Sequence, residues 1–290
     1  MKVTLWGTRG SQPAAGPETV RYGGNTACVE VKGADSTVLV LDAGTGIRRL
    51  GAALRPKLSR LDLLLTHLHM DHIQGLGFVD PLYQADLDVH IWGPASTTLD
   101  LRERLTRYLS PPLFPVRMRD LPCRLTLHNV PFGTFEISGL AITADLVCHP
   151  GPTVGYRITE GSSSIAYIPD HEPALGAQRF PEDPDWTSGF ALASGADLLI
   201  HDAQYSDTEY EQHTGWGHSS IRHALEFAAA TSVRRLVTFH HDPAHDDATL
   251  DELHEQGRQL FNLPFELAAG IEGASFELGA GPADRSDNSG

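Results

Sequence analysis

Cysteine is scarce: the 290 residues contain three, Cys28, Cys123 and Cys148. An odd number without C-x-x-C spacing argues against a disulfide framework and against a cysteine zinc knuckle. Long apolar runs are missing as well, and no stretch approaches the roughly eighteen residues of a membrane span. The opening MKVTLWGTRG lacks the apolar core of a signal peptide and reads as a first strand. The expectation is a cytoplasmic protein with no membrane partner. Positive charge is also thin, with 22 Lys and Arg against 37 Asp and Glu and a formal charge of −15. Such a surface repels polyanions on average, which disfavours a dedicated nucleic-acid binder.

What is present is an ordinary globular balance, 41% apolar and 20% charged, and an excess of histidine, 15 in all. Strand-like runs recur at 2–6, 26–32, 37–42, 61–66 and 87–92. A helical pattern with Leu99, Leu101, Leu105 and Leu109 ends at Pro111 and Pro112. Short strands follow from about 124 to 168, then alternate with helices at 189–195, 219–231 and 249–261 before FELAAG, read as the last strand. One domain over 1–278 is expected, with a polar tail, 279–290, predicted to be disordered. Mixed strands and helices predict a layered α/β or α+β sandwich.

The stretch LTHLHMDHIQGL sets His67, His69, Asp71 and His72 directly after the apolar run LDLLL. So many polar rings cannot all be buried without partners, and they suit a divalent metal with nitrogen and oxygen ligands. In extended backbone His67 and His69 point the same way, while DHIQGL can begin a helix. One loop could thus serve two neighbouring metals. His149, Asp170 and His240 each follow an apolar strand, and strand ends at one sheet edge are where open α/β folds place their sites.

With these residues in place the sequence resembles the metallo-β-lactamase-fold hydrolases. The resemblance is carried by His67-x-His69-x-Asp71-His72, by CHPGPTVGYRI, by IAYIPDHE and by VTFHHDP, and it covers nearly the whole chain. It implies a four-layer αββα sandwich and two divalent metal ions, zinc ahead of manganese. By resemblance His67, His69 and His149 hold one ion, Asp71, His72 and His240 the other, and Asp170 bridges. His241 competes with His240 for the last place, with strand register favouring His240. Two such ions can acidify a shared water and clamp the attacking and leaving oxygens, and Asp71 can orient that water or take its proton. Asp42 is read as support for the metal loop through hydrogen bonds.

DLLIHDAQY and WGHSS resemble motifs of the tRNase Z-like branch. Carried over, Asp202 orients His218, and His218 protonates a departing alkoxide; a carboxylate partner is expected to raise its pKa. This pattern predicts a phosphodiesterase. Only 20 residues separate His149 from Asp170, too few for a tRNA-gripping arm. With the acidic surface, this disfavours tRNA and predicts a small or cyclic phosphodiester as substrate. Arg9, Arg21 and Asn25, in Gly-rich loops, are candidate phosphate contacts, and His171 and His241 candidate substrate contacts. The alternatives are a lactonase or other carboxylic-ester hydrolase, which does not need the Asp202–His218 pair, and a mono-iron persulfide-type oxidoreductase, which would not use His240. A homodimer is possible, as is common in the family.

Overall fold

The computed structural model describes residues 1–54, 58–176, 180, 186–260 and 262–279. The first sheet contains β1 (Lys2–Gly7), β2 (Cys28–Lys32), β3 (Val38–Leu41), β4 (Arg60–Leu64), β5 (Asp88–Gly93), β6 (Arg124–Asn129) and β14 (Ser275–Glu277), in the order β14-β1-β2-β3-β4-β5-β6. The second contains β7 (Gly133–Ile137), β8 (Leu140–Leu146), β9 (Val154–Glu160), β10 (Ser163–Ile168), β11 (Leu198–Asp202), β12 (Arg235–Phe239) and β13 (Glu266–Ala269), in the order β13-β12-β11-β10-β9-β8-β7.

Side chains of both sheets share one core, in which Val3, Leu5, Leu39 and Leu64 join Tyr156, Tyr167, Ile200 and Phe239. The outer face of the first sheet is closed by α1 (Ile47–Ala53) and α3 (Leu101–Thr106), through residues such as Ile47, Leu50, Leu101 and Leu105. The outer face of the second is closed by α4 (Phe190–Ala193), α6 (Ile221–Ala230) and α7 (Asp247–Leu260). The layers therefore run helix, sheet, sheet, helix. Strand β4 is parallel to both neighbours and buried from Leu61 to Leu64, so it is mostly apolar, with Asp62 held by Arg60 and the Trp92 indole N–H.

Helix α6 begins where the Ser220 side chain accepts the His223 N–H, satisfying one of the unpaired donors of its first turn. It then buries Ile221, Ala224, Leu225, Phe227 and Ala228 on one face. Each large apolar side chain so buried contributes roughly 1.5–3 kcal/mol. Helix α3 is shorter than its leucine pattern suggests, since Asp100 and Glu103 form a reciprocal cap that starts it at Leu101.

Two further differences from the sequence reading stand out. FELAAG is not the last strand, because β14 follows it and pairs with β1. Helix α5 (Asp207–His213) was not anticipated, although Ser206 and Glu209 cap each other at its start. The tail lies outside the described residues beyond Gly279. What positions the site is direction: β3 to β6 run parallel, as do β10 to β13. The carboxyl ends of β3, β4, β10, β11 and β12 thus deliver Asp42, His67, Asp170, Asp202 and His240 to one edge of the sandwich.

Candidate metal centre

The chain leaves β4 through Leu65 and Thr66, and His69 flanks α2 (Met70–Ile73) in extended backbone. That short helix buries Asp71 and His72. Asp42, in the left-handed region with φ 59°, anchors this loop. Its carboxylate accepts the Thr66 N–H at 2.8 Å, the Thr66 hydroxyl at 2.9 Å, the Tyr167 hydroxyl at 2.9 Å and His72 Nδ1 at 2.8 Å. His72 Nε2 is thereby turned inward, 2.9 Å from Asp170 Oδ1 and 3.2 Å from Asp71 Oδ2.

The other imidazoles repeat the pattern of one anchored and one converging nitrogen. His149 Nδ1 lies 2.8 Å from the Gly217 carbonyl, and its Nε2 lies 3.1 Å from His69 Nδ1. His240 Nδ1 lies 2.9 Å from Gln204 Oε1, and its Nε2 lies 3.0 Å from Asp71 Oδ2 and 3.3 Å from Asp170 Oδ2. His67 Nδ1 meets the Thr66 hydroxyl at 3.1 Å, while its buried Nε2 has no hydrogen-bond partner. That nitrogen lies 3.7 Å from Asp170 Oδ2. Burial pushes the His67 imidazole well below its ordinary pKa, with His72 adding to the effect. A neutral ring with an unpartnered buried nitrogen is what a metal ligand looks like before it binds.

The donors fall into two groups, His67 with His69 and His149, and Asp71 with His72, Asp170 and His240; within each group the ligand atoms lie within 4.8 Å of one another. Asp170 Oδ2 faces both groups. This set of imidazole nitrogens and carboxylate oxygens fits a pair of divalent cations. His241 is directed elsewhere, its Nε2 donating to the Gly270 carbonyl, so the strand end brings His240 to the cluster instead.

Asp202 and His218 meet at the rim of the same cluster. His218 Nδ1 is 2.7 Å from Asp202 Oδ2, and its ring stacks on His240 with centroids 4.8 Å apart. The Asp202 oxygens also accept the N–H groups of His171, Gln204 and Ser219. One expectation is reversed here. Burial dominates both partners, moving the His218 imidazole down and the Asp202 carboxyl up, each toward its neutral form. Desolvation thus outweighs the attraction that was expected to raise His218.

The five candidate substrate contacts are not brought to the cleft. Arg9 is fully buried and donates to the carbonyls of Gly23, Asp242 and His245. Arg21 pairs with Asp251 at 2.6 Å, and Asn25 bonds Glu272. His171 is buried against His201 and Ser188, and His241 against Gly270 and Tyr22. Gly10 serves packing, since a Cβ there would stand 2.3 Å from the His240 ring. Sequence reasoning missed Gln204, the Gly217 carbonyl and the Ser11 N–H, which donates to Asp71 at 2.9 Å. Gln204 lies two residues beyond Asp202, a spacing that could have flagged it; backbone partners leave no such trace. Beside His67 and His69 opens a cleft of about 340 Å³, walled by Leu68, Met70, Arg104, Arg107 and Tyr108.

The family described as "Beta-lactamase superfamily domain" matches residues 37–241, which hold every residue of the cluster. The chain belongs to the beta-lactamase superfamily. A ribonuclease Z of Gemmatimonas aurantiaca is 26% identical, with 95% of this chain and 95% of the relative covered. Human tRNase Z, short form, shares the fold with a TM-score of 0.66 at 20% identity, over 96% of this chain and 100% of its own. A diphosphatase of the PhnP family does so with a TM-score of 0.67 at 18% identity, over 95% and 97%. The superfamily member described here is a metal-dependent hydrolase.

These likenesses overturn the expectation that tRNA is disfavoured, and they do not support a specificity for small substrates. A ribonuclease aligns with the chain nearly end to end. The spacing between His149 and Asp170 tested only one place for an arm. The charge of −15 is an average, whereas the cleft beside His67 and His69 is lined by Arg107 and by Arg104, whose guanidinium also donates to the Pro94 carbonyl.

Proposed function

We propose that this chain hydrolyses phosphodiester bonds, RNA among its substrates, with His67, His69 and His149 holding one divalent ion, Asp71, His72 and His240 a second, and Asp170 between them. Zinc suits these donors best and manganese next. The ions, when bound, supply Lewis acidity toward the phosphoryl oxygens and lower the pKa of water. Asp71, held by the Ser11 N–H and His240, orients the attacking water or receives its proton. Asp202 fixes the ring of His218, and His218 gives a proton to the departing oxygen.

The observation that carries this reading is the Asp202–His218 contact at 2.7 Å, set against the ring of a candidate ligand. An alkoxide leaving from a phosphodiester needs a proton, whereas nitrophenolate does not. The ribonuclease Z relative supports RNA as the polymer to try first. His218→Ala is expected to slow cleavage of a tRNA precursor by about 10²–10⁴-fold and that of bis-p-nitrophenyl phosphate by less than about tenfold. Equal losses on the two substrates would remove His218 as proton donor.

A further inference from the structure

We propose that Glu172 is a positioning residue that holds the turn before His218 and fixes the ring of His149. The proposal rests on the reading of the cluster as a metal centre and of His218 as its proton donor. Glu172 lies two positions after Asp170 and is fully buried. Its side chain belongs to neither ligand group among the described residues. A carboxylate placed there is costly unless donors surround it. Three do: the Tyr210 hydroxyl at 3.0 Å and the Gly215 N–H at 2.8 Å meet Oε1, and the Gly217 N–H at 2.8 Å meets Oε2.

The turn is shaped around this group. Gly215 and Gly217 have φ of 88° and 91°, so two nearby amides converge on one carboxylate, as backbone does around an anion. The carbonyl of Gly217 then faces His149 Nδ1 at 2.8 Å, which leaves the other nitrogen of that ring for the cluster. A Cβ on Gly217 would stand 2.3 Å from His149 Nδ1, so the approach is close. The backbone N–H of Glu172 also donates to the Cys148 carbonyl, immediately before His149. One residue past Gly217 comes His218. Asp202 holds that ring from one side, and Glu172 holds the chain entering it from the other.

Glu172→Gln tests this with little change of shape. An amide has one acceptor oxygen, so it must abandon either Gly217 or the Tyr210 and Gly215 pair. The full-length chain, stripped of metal and checked by circular dichroism, is titrated with zinc against a chromophoric chelator. Zinc affinity is expected to fall about tenfold, and the ratio of RNA to bis-p-nitrophenyl phosphate turnover to fall by a similar factor while KM stays within about twofold. A general loss of stability would not move that ratio. Should Glu172→Gln fail to fold, Tyr210→Phe loosens the same carboxylate and must shift zinc affinity the same way by a smaller factor. Zinc affinity within twofold of the parent chain in the variant tested overturns the proposal. If His218→Ala costs both substrates equally, the proton-donor reading falls, and the zinc titration still decides the role of Glu172.

Discussion

Two polar loops leave buried strands on the same side of the first sheet, and they use their side chains in opposite ways. The loop after β1 carries Arg9, Arg21 and Asn25, and every one of them is tied to a carbonyl or a carboxylate of its own fold. The loop after β4 carries His67, His69, Asp71 and His72, whose inward atoms face one another, with His67 Nε2 left unpartnered. Charge and glycine content do not separate such loops. The separating feature is what the inward atoms meet, since each loop has one buried nitrogen without a partner, Arg9 Nη2 in the first and His67 Nε2 in the second. In the first loop the remaining donors end on carbonyls and carboxylates of the fold, whereas in the second the ligating atoms converge on one another, which suits a metal.

The sharpest way to break the contrast is Arg9→Met. If Arg9 serves the fold, three carbonyls lose a charged donor, and thermal or denaturant unfolding should show a loss of about 4 kcal/mol. Zinc stoichiometry should be unchanged in the folded fraction. A variant of parental stability that bound RNA poorly would return Arg9 to the substrate.

A smaller effect separates structural histidine from ligand histidine. His254 of α7 meets the Thr238 hydroxyl at 2.6 Å, and burial pushes its pKa down to about 4. A lowered folded pKa means the unfolded chain binds the proton first. The stabilisation is therefore complete above about pH 6.5 and is lost as pH falls toward 4, by up to about 3 kcal/mol. His254→Gln should flatten the acid limb of a stability profile by that amount. An unchanged limb would show that the buried ring contributes nothing there.

Much of the architecture was legible because strands buried on both faces must be largely apolar, as IAYI is and as LDLLL is apart from Asp62. That residue pairs with Arg60 and accepts the Trp92 Nε1–H. The metal loop was legible because four ligating groups in six positions have few other uses. Convergence of His149, Asp170 and His240 followed from strand direction. Other features were hidden for physical reasons. Partners such as the Gly217 carbonyl and the Ser11 amide exist at every residue and acquire meaning only in three dimensions. Glu172, in IPDHEP, reads as one more surface acid until the turn at 215–217 closes over it. Arginine beside glycine suits a phosphate and a set of carbonyls equally well, so GTRGS could not decide between them. Helix α5 was a missed signal instead, since SDTE carries the serine and glutamate spacing of a reciprocal cap.

The central claim is that distant strand ends assemble one enclosure for two cations. Elemental analysis of the purified full-length chain, paired with zinc titration after chelation, tests it most directly. Two equivalents of divalent metal per chain are expected, falling to one or fewer in Asp170→Asn. A single equivalent in the parent chain, unaltered by loss of His240, would contradict the account.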